Sequence, residues 1–128
     1  MIRILIAEDD QDLRAVLRMF LESVGYAVEA VPDGEKAIVA QKEHPADVLV
    51  TDIFMPDRDG FETLEYFRTH HPGVRIIAIS GRKEGHQTDH LAVAKYAGAD
   101  AVLRKPFEIG QLMERLQALV PGDRQPRQ

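Results

Sequence analysis

The amino-acid sequence predicts an α/β domain built on a doubly wound, five-stranded parallel sheet. Five short apolar runs rich in β-branched residues (2–7, 27–31, 47–51, 74–79 and 101–104) are separated by stretches whose apolar residues recur with a helical period. The first, third and fourth runs are nearly continuous in Ile, Leu, Val and Ala, as strands covered on both faces require. Regular alternation of strand and helix then implies right-handed crossovers and helices on both sides of the sheet.

Each helix has its own signal. Leu13, Val16, Leu17, Phe20, Leu21 and Val24 make one apolar stripe on a first helix, which Gly25 stops. A second, about 35–43, rests on Ala37, Ile38 and Ala40. Phe61, Leu64 and Phe67 mark a third, with Asp59 and Glu62 spaced like a capping box. A fourth, about 88–97, rests on Leu91, Ala92 and Ala94, and the last on Ile109, Leu112, Met113, Leu116 and Leu119. The domain is expected to span residues 1–120. The tail 121–128 has no apolar residue to dock and reads as a frayed end or the start of a linker.

Composition narrows the chemistry. With 128 residues, 45% apolar and 29% charged, the chain suits one ordinary soluble domain. Lys+Arg 16 against Asp+Glu 21 gives a net charge of −5, a poor match for nucleic acid or anionic lipid. The absence of cysteine excludes disulfides, thiolate chemistry and Cys-ligated metals. No apolar run reaches the roughly 18–20 residues that span a bilayer, and the N-terminal apolar stretch is too short for a signal peptide. A cytoplasmic location is the expectation. Neither a Walker-type loop nor G-x-G-x-x-G is present, so nucleotide binding has no support.

In a doubly wound sheet, ligands bind beyond the carboxyl ends of the strands. Strand one runs into Glu8, Asp9 and Asp10; strand three ends at Asp52, strand four at Ser80 and strand five at Lys105. Each has an ordinary alternative: Asp10 reads better as a helix cap, Ser80-Gly81 as a turn and Lys105-Pro106 as a strand exit. Asp52 is harder to dismiss, because aspartate is depleted in strands. Glu8, Asp9 and Asp52, if ionised within a few ångströms, repel by about 1 kcal/mol or more per pair. Such a cluster calls for a cation, and with oxygen ligands alone the hard ion Mg²⁺ fits. A carboxylate nucleophile, a metal, a lysine and a hydroxyl are the parts of a phosphoryl-transfer site.

The sequence resembles the receiver domain of bacterial two-component response regulators from Met1 to about Val120. The matching pieces are Ile4-Leu-Ile-Ala-Glu-Asp-Asp10, Val50-Thr-Asp52-Ile-Phe-Met-Pro56 with Asp59-Gly60, Ile79-Ser80, and Gly98-Ala-Asp100 with Lys105-Pro-Phe107. The resemblance implies a flavodoxin-like (βα)5 fold with strand order 2-1-3-4-5. It implies that Asp52 accepts a phosphoryl group from a histidine kinase or phosphotransfer protein, and that the chain is a switch catalysing its own phosphorylation and dephosphorylation rather than substrate turnover. Asp9, Asp52 and the backbone carbonyl of Phe54 would ligate Mg²⁺, with Glu8 acting at or near the ion through water. Ser80 and Lys105 would hold phosphoryl oxygens, the Lys105–Pro106 bond would be cis, and Met55-Pro56 with Gly60 would shape the adjacent turn. The readout would be a protein contact on the face formed by the fourth helix, strand five and the last helix, with no direct nucleic-acid or membrane partner.

Departures from the family pattern are informative. Val102 stands where the family commonly has an aromatic residue, so half of the usual serine/threonine–aromatic switch is missing and the transmission route is open. The segment 81–88 is a few residues longer than usual; it reads as a solvated loop, with a mobile partner contact as the functional alternative. Phe54 and Arg82 take the positions that flank the attacking water. Bulky Phe54 is expected to hinder that water and lengthen the phosphoryl lifetime, so a Phe54→Asn variant should lose phosphate faster in a dephosphorylation time course.

Other candidates are weaker. His86 and His90, four apart, lack a third metal ligand, and His70-His71 and His44 suit helix ends. Tyr26, Tyr66 and Tyr96 read as packing residues, and Asp33-Gly34 as a turn or cap. A phosphohydrolase resembling the haloacid dehalogenase group carries a second Asp two residues after its nucleophile; Phe54 occupies that position and supplies no proton. A phosphorylation-independent pseudo-receiver normally loses an acid, the acceptor or the lysine, all present here. A flavin-binding protein has only fold analogy behind it.

Overall fold

The computed structural model describes residues 1–53, 60–81, 94–95 and 97–120. Its elements run β1 (Arg3–Ala7), α1 (Gln11–Ser23), β2 (Ala27–Val31), α2 (Gly34–Glu43), β3 (Val48–Asp52), α3 (Gly60–His70), β4 (Arg75–Gly81), β5 (Ala101–Lys105) and α4 (Ile109–Leu119). All strand pairs are parallel, in the order β2-β1-β3-β4-β5. The sheet and its order are those expected. Of the expected fourth helix, only Ala94 and Lys95 are described as helical; the rest of 88–93, Tyr96, the segment 82–87 and the tail 121–128 lie outside the described residues.

β1 and β2 end with their apolar runs, whereas β3 and β5 continue to Asp52 and Lys105, as expected, and β4 goes one residue past the expected Ser80. Asp52 pairs with Ile79, and Ser80 and Gly81 pair with Arg104 and Lys105, so the ladder carries β3, β4 and β5 one or two residues into the polar rim. Strand interiors alternate between two cores. Leu5, Leu49, Ile76 and Ala78 pack with Ala37, Leu64 and Phe67 of α2 and α3. Ile4, Ile6, Val48, Val50, Ile77 and Ile79 pack with Leu17, Leu21, Leu112 and Leu116 of α1 and α4. The central strand β3 is buried along its whole length, which explains why its sequence does not alternate.

Local signals place the helix ends. The Asp10 carboxylate accepts hydrogen bonds from the Asp12 and Leu13 N–H groups at 3.0 and 3.1 Å, and Asp33 accepts one from Lys36 at 2.8 Å. Gly25 follows α1 at φ 105°, a conformation that favours glycine. One sequence expectation fails here: Val16 is 54% exposed, because the buried stripe of α1 centres on Leu17 and Leu21 and leaves Val16 on its edge. No helix among the described residues is long and apolar enough to cross a membrane.

Candidate functional site

The carboxyl ends of β1, β3 and β5 converge. Carboxylate oxygens of Glu8, Asp9 and Asp52 all lie within 4.8 Å of one another, with Glu8 and Asp52 buried and Asp9 exposed. Lys105, at the end of β5, places its Nζ 2.7 Å from Asp52 Oδ2 and 2.8 Å from Glu8 Oε1. The Lys105–Pro106 peptide is cis.

Burial makes this a high-stakes arrangement, since a charge removed from water needs partners. Burial pushes the Glu8 carboxyl up to about 7, assisted by the Asp52 charge and opposed by hydrogen bonds from Lys105 and the Asp10 N–H. Burial alone would lower Lys105, but its hydrogen bonds and charge contacts with Asp52 and Glu8 outweigh that and raise it. Three carboxylates against one ammonium leave two negative charges when all are ionised. An all-oxygen donor set with that residual charge fits a hard divalent cation such as Mg²⁺.

The other predicted residues fall into place unevenly. Ser80 is buried on β4, and its hydroxyl donates to the Gly81 carbonyl at 3.1 Å rather than to a rim carboxylate. Asp10 belongs to the α1 cap. Val102 pairs with Ala78 and lies half-buried against the α2–α3 core. Phe54, Met55, Pro56, Asp59, Arg82, His86 and His90 lie outside the described residues. Gly60 begins α3 against the end of β3: a Cβ there would stand 2.3 Å from Ile53 Cα and 2.6 Å from the Asp52 carbonyl oxygen.

Sequence reading passed over Arg14. Its Nη1 donates to the Glu8 carbonyl at 2.8 Å. The only sequence signal was an arginine near a helix N-terminus, where a cation opposes the helix dipole.

Comparison with known proteins agrees with this geometry. The response regulator receiver domain model matches residues 4–117. The chain is 34% identical over 118 residues to the transcriptional regulatory protein QseB of Haemophilus influenzae, covering 92% of this chain and 52% of that protein. It is 34% identical over 120 residues to the virulence transcriptional regulatory protein PhoP of Salmonella typhimurium, covering 94% and 52%. The chain thus spans about half the length of these relatives. Among solved structures, a Francisella response regulator receiver domain superposes with a TM-score of 0.81 at 27% identity, covering 93% of this chain and 96% of that one. Thermotoga maritima TrrA in complex with Mg²⁺-BeF superposes with a TM-score of 0.80 at 27% identity, covering 94% and 100%. With the acidic cluster and its lysine at the strand ends, and the family match running through both, the chain belongs to the response-regulator receiver domain family.

Proposed function

We propose that this chain accepts a phosphoryl group on Asp52 from the phosphohistidine of a histidine kinase or phosphotransfer protein, with Mg²⁺, and thereby switches a protein-contact face. Receiver domains of this family are signalling switches rather than turnover enzymes. The observation that carries the reading is the buried Asp52, hydrogen-bonded to Lys105 and grouped with Glu8 and Asp9.

In the transfer, a carboxylate oxygen of Asp52 attacks phosphorus, the P–N bond breaks, and its electron pair returns to the donor imidazole. Glu8, Asp9 and Asp52 would hold Mg²⁺, with the Phe54 carbonyl assigned by resemblance; the ion supplies positive charge toward the phosphoryl oxygens. Lys105, already beside Asp52, would pair with the transferred group, and Ser80 would exchange its Gly81 contact for a phosphoryl oxygen. Both lie on strands leading into the expected contact face, so their movement would bias it between two populations. A groove of about 590 Å³ opens beside Lys105, its apolar wall made by Leu13, Val16, Phe107 and Ile109 and its charged rim by Asp10 and the lysine, and would give a donor an approach. Phe54 and Arg82 would tune the phosphoryl lifetime.

Intact mass after incubation with Mg²⁺ and acetyl phosphate tests the reading. Wild type should gain one phosphoryl group only when Mg²⁺ is present, and Asp52→Asn should gain none. Retained labelling of Asp52→Asn would move the acceptor. A wild type that stays unlabelled by both acetyl phosphate and a phosphohistidine donor, and whose spectra ignore Mg²⁺ with beryllofluoride, would instead be a phosphorylation-independent binding module.

A further inference from the structure

We infer that Arg14 is a positioning residue for the metal-holding loop, fixing the backbone from which Asp9 projects. The inference rests on the Mg²⁺ reading of the site. Asp9 is the exposed member of the acidic group, and its carboxylate hangs from a loop only three residues long between Ala7 and Gln11. Both neighbours of Asp9 are tied. The Glu8 N–H donates to the Val31 carbonyl at 3.0 Å. The Glu8 side chain accepts from the Asp10 N–H at 3.0 Å and meets Lys105 at 2.8 Å. The Glu8 carbonyl is held by the Arg14 guanidinium at 2.8 Å, and the Asp10 carbonyl by the Arg14 N–H at 2.9 Å. One residue therefore grips the carbonyls on both sides of Asp9.

A charged donor to a carbonyl is among the stronger hydrogen bonds available to this loop. Its location is otherwise unfavourable, since a cation in the opening turns of a helix opposes the dipole. A positive charge close to a cation site would also weaken binding by repulsion, so charge and positioning predict opposite signs. If Arg14 acts by charge alone, its removal tightens Mg²⁺ binding; if it acts by holding the loop, removal loosens it.

The test uses Arg14→Met, which keeps the apolar stem and loses the donor. The apo protein is followed by the ¹³C shift of the Glu8 carbonyl, and Mg²⁺ affinity by NMR titration of the Asp9 and Asp10 amides. The expected result is a moved Glu8 carbonyl shift in the apo protein and Mg²⁺ affinity weakened roughly tenfold, the lower end of what partners of metal ligands contribute. Unchanged or tighter Mg²⁺ binding in a folded variant overturns the inference, whatever the change in thermal stability. Should Arg14→Met not fold, Arg14→Gln, whose shorter uncharged amide falls short of the carbonyl, is read in the same way. Wild type that binds no Mg²⁺ overturns the metal reading and this role together; wild type that binds it no better than the variant overturns this role alone.

Discussion

Lys105 neutralises part of the rim from inside the fold, touching Asp52 and Glu8 at 2.7 and 2.8 Å with its side chain 23% exposed. Removing it leaves two buried carboxylates without their ammonium, a change that raises the cost of keeping either ionised. Lys105→Ala is expected to destabilise the metal-free protein by about 1–3 kcal/mol, allowing for partial exposure. Mg²⁺ should restore more stability to this variant than to wild type, because the ion takes over the missing positive charge. Thermal unfolding in EDTA and in Mg²⁺ checks both statements, and equal Mg²⁺ responses would separate Lys105 from the acidic group. Labelling from acetyl phosphate should also fall while the metal is still bound.

At the level of elements, the site depends on how closely α3 meets β3. Gly60 has no room for a side chain: the nearest atoms are Ile53 Cα and the Asp52 carbonyl oxygen, both backbone, and neither can rotate away. Gly60→Ala should push the start of α3 off the strand, costing about 1–3 kcal/mol as other overpacking changes do. It should also slow labelling of Asp52, whose own carbonyl takes the clash. A variant that matches wild type in both melting and labelling would show that the junction yields freely. The caps of α1 and α2 are more forgiving, since loss of an aspartate cap costs about 1 kcal/mol. Asp10 nevertheless fixes where α1 starts and therefore where Asp9 emerges.

At the scale of the molecule, the sheet separates two clusters of buried residues among the described ones, one packed with α2 and α3 and the other with α1 and α4. This arrangement was legible because β-branched runs without alternation have few other homes, and because Glu8, Asp9, Asp52 and Lys105 each follow such a run. Strand ends were legible at Asp52 and Lys105, where the structure ends β3 and β5 as expected, and only β4 runs one residue further, to Gly81, because backbone pairing with Lys105 extends the ladder past Ser80. Val16 misled because a helical period sets the direction of a stripe more closely than its width. Arg14 left only its unfavourable place near a helix N-terminus as a signal, because its partner is a backbone carbonyl, which every residue possesses. The enclosed ion pairs have a further consequence in salt. Surface pairs such as Arg18–Glu22, with side chains 54% and 45% exposed, lose much of their attraction as the Debye length falls from about 10 Å at 0.1 M to about 3 Å at 1 M. The contacts of Lys105 with Glu8 and Asp52 lie largely behind that ionic atmosphere, so the stability gap between wild type and Lys105→Ala should stay nearly constant across a sodium chloride series. The rim then keeps its own electrostatics in dilute and concentrated media alike, while the field of the outer surface fades.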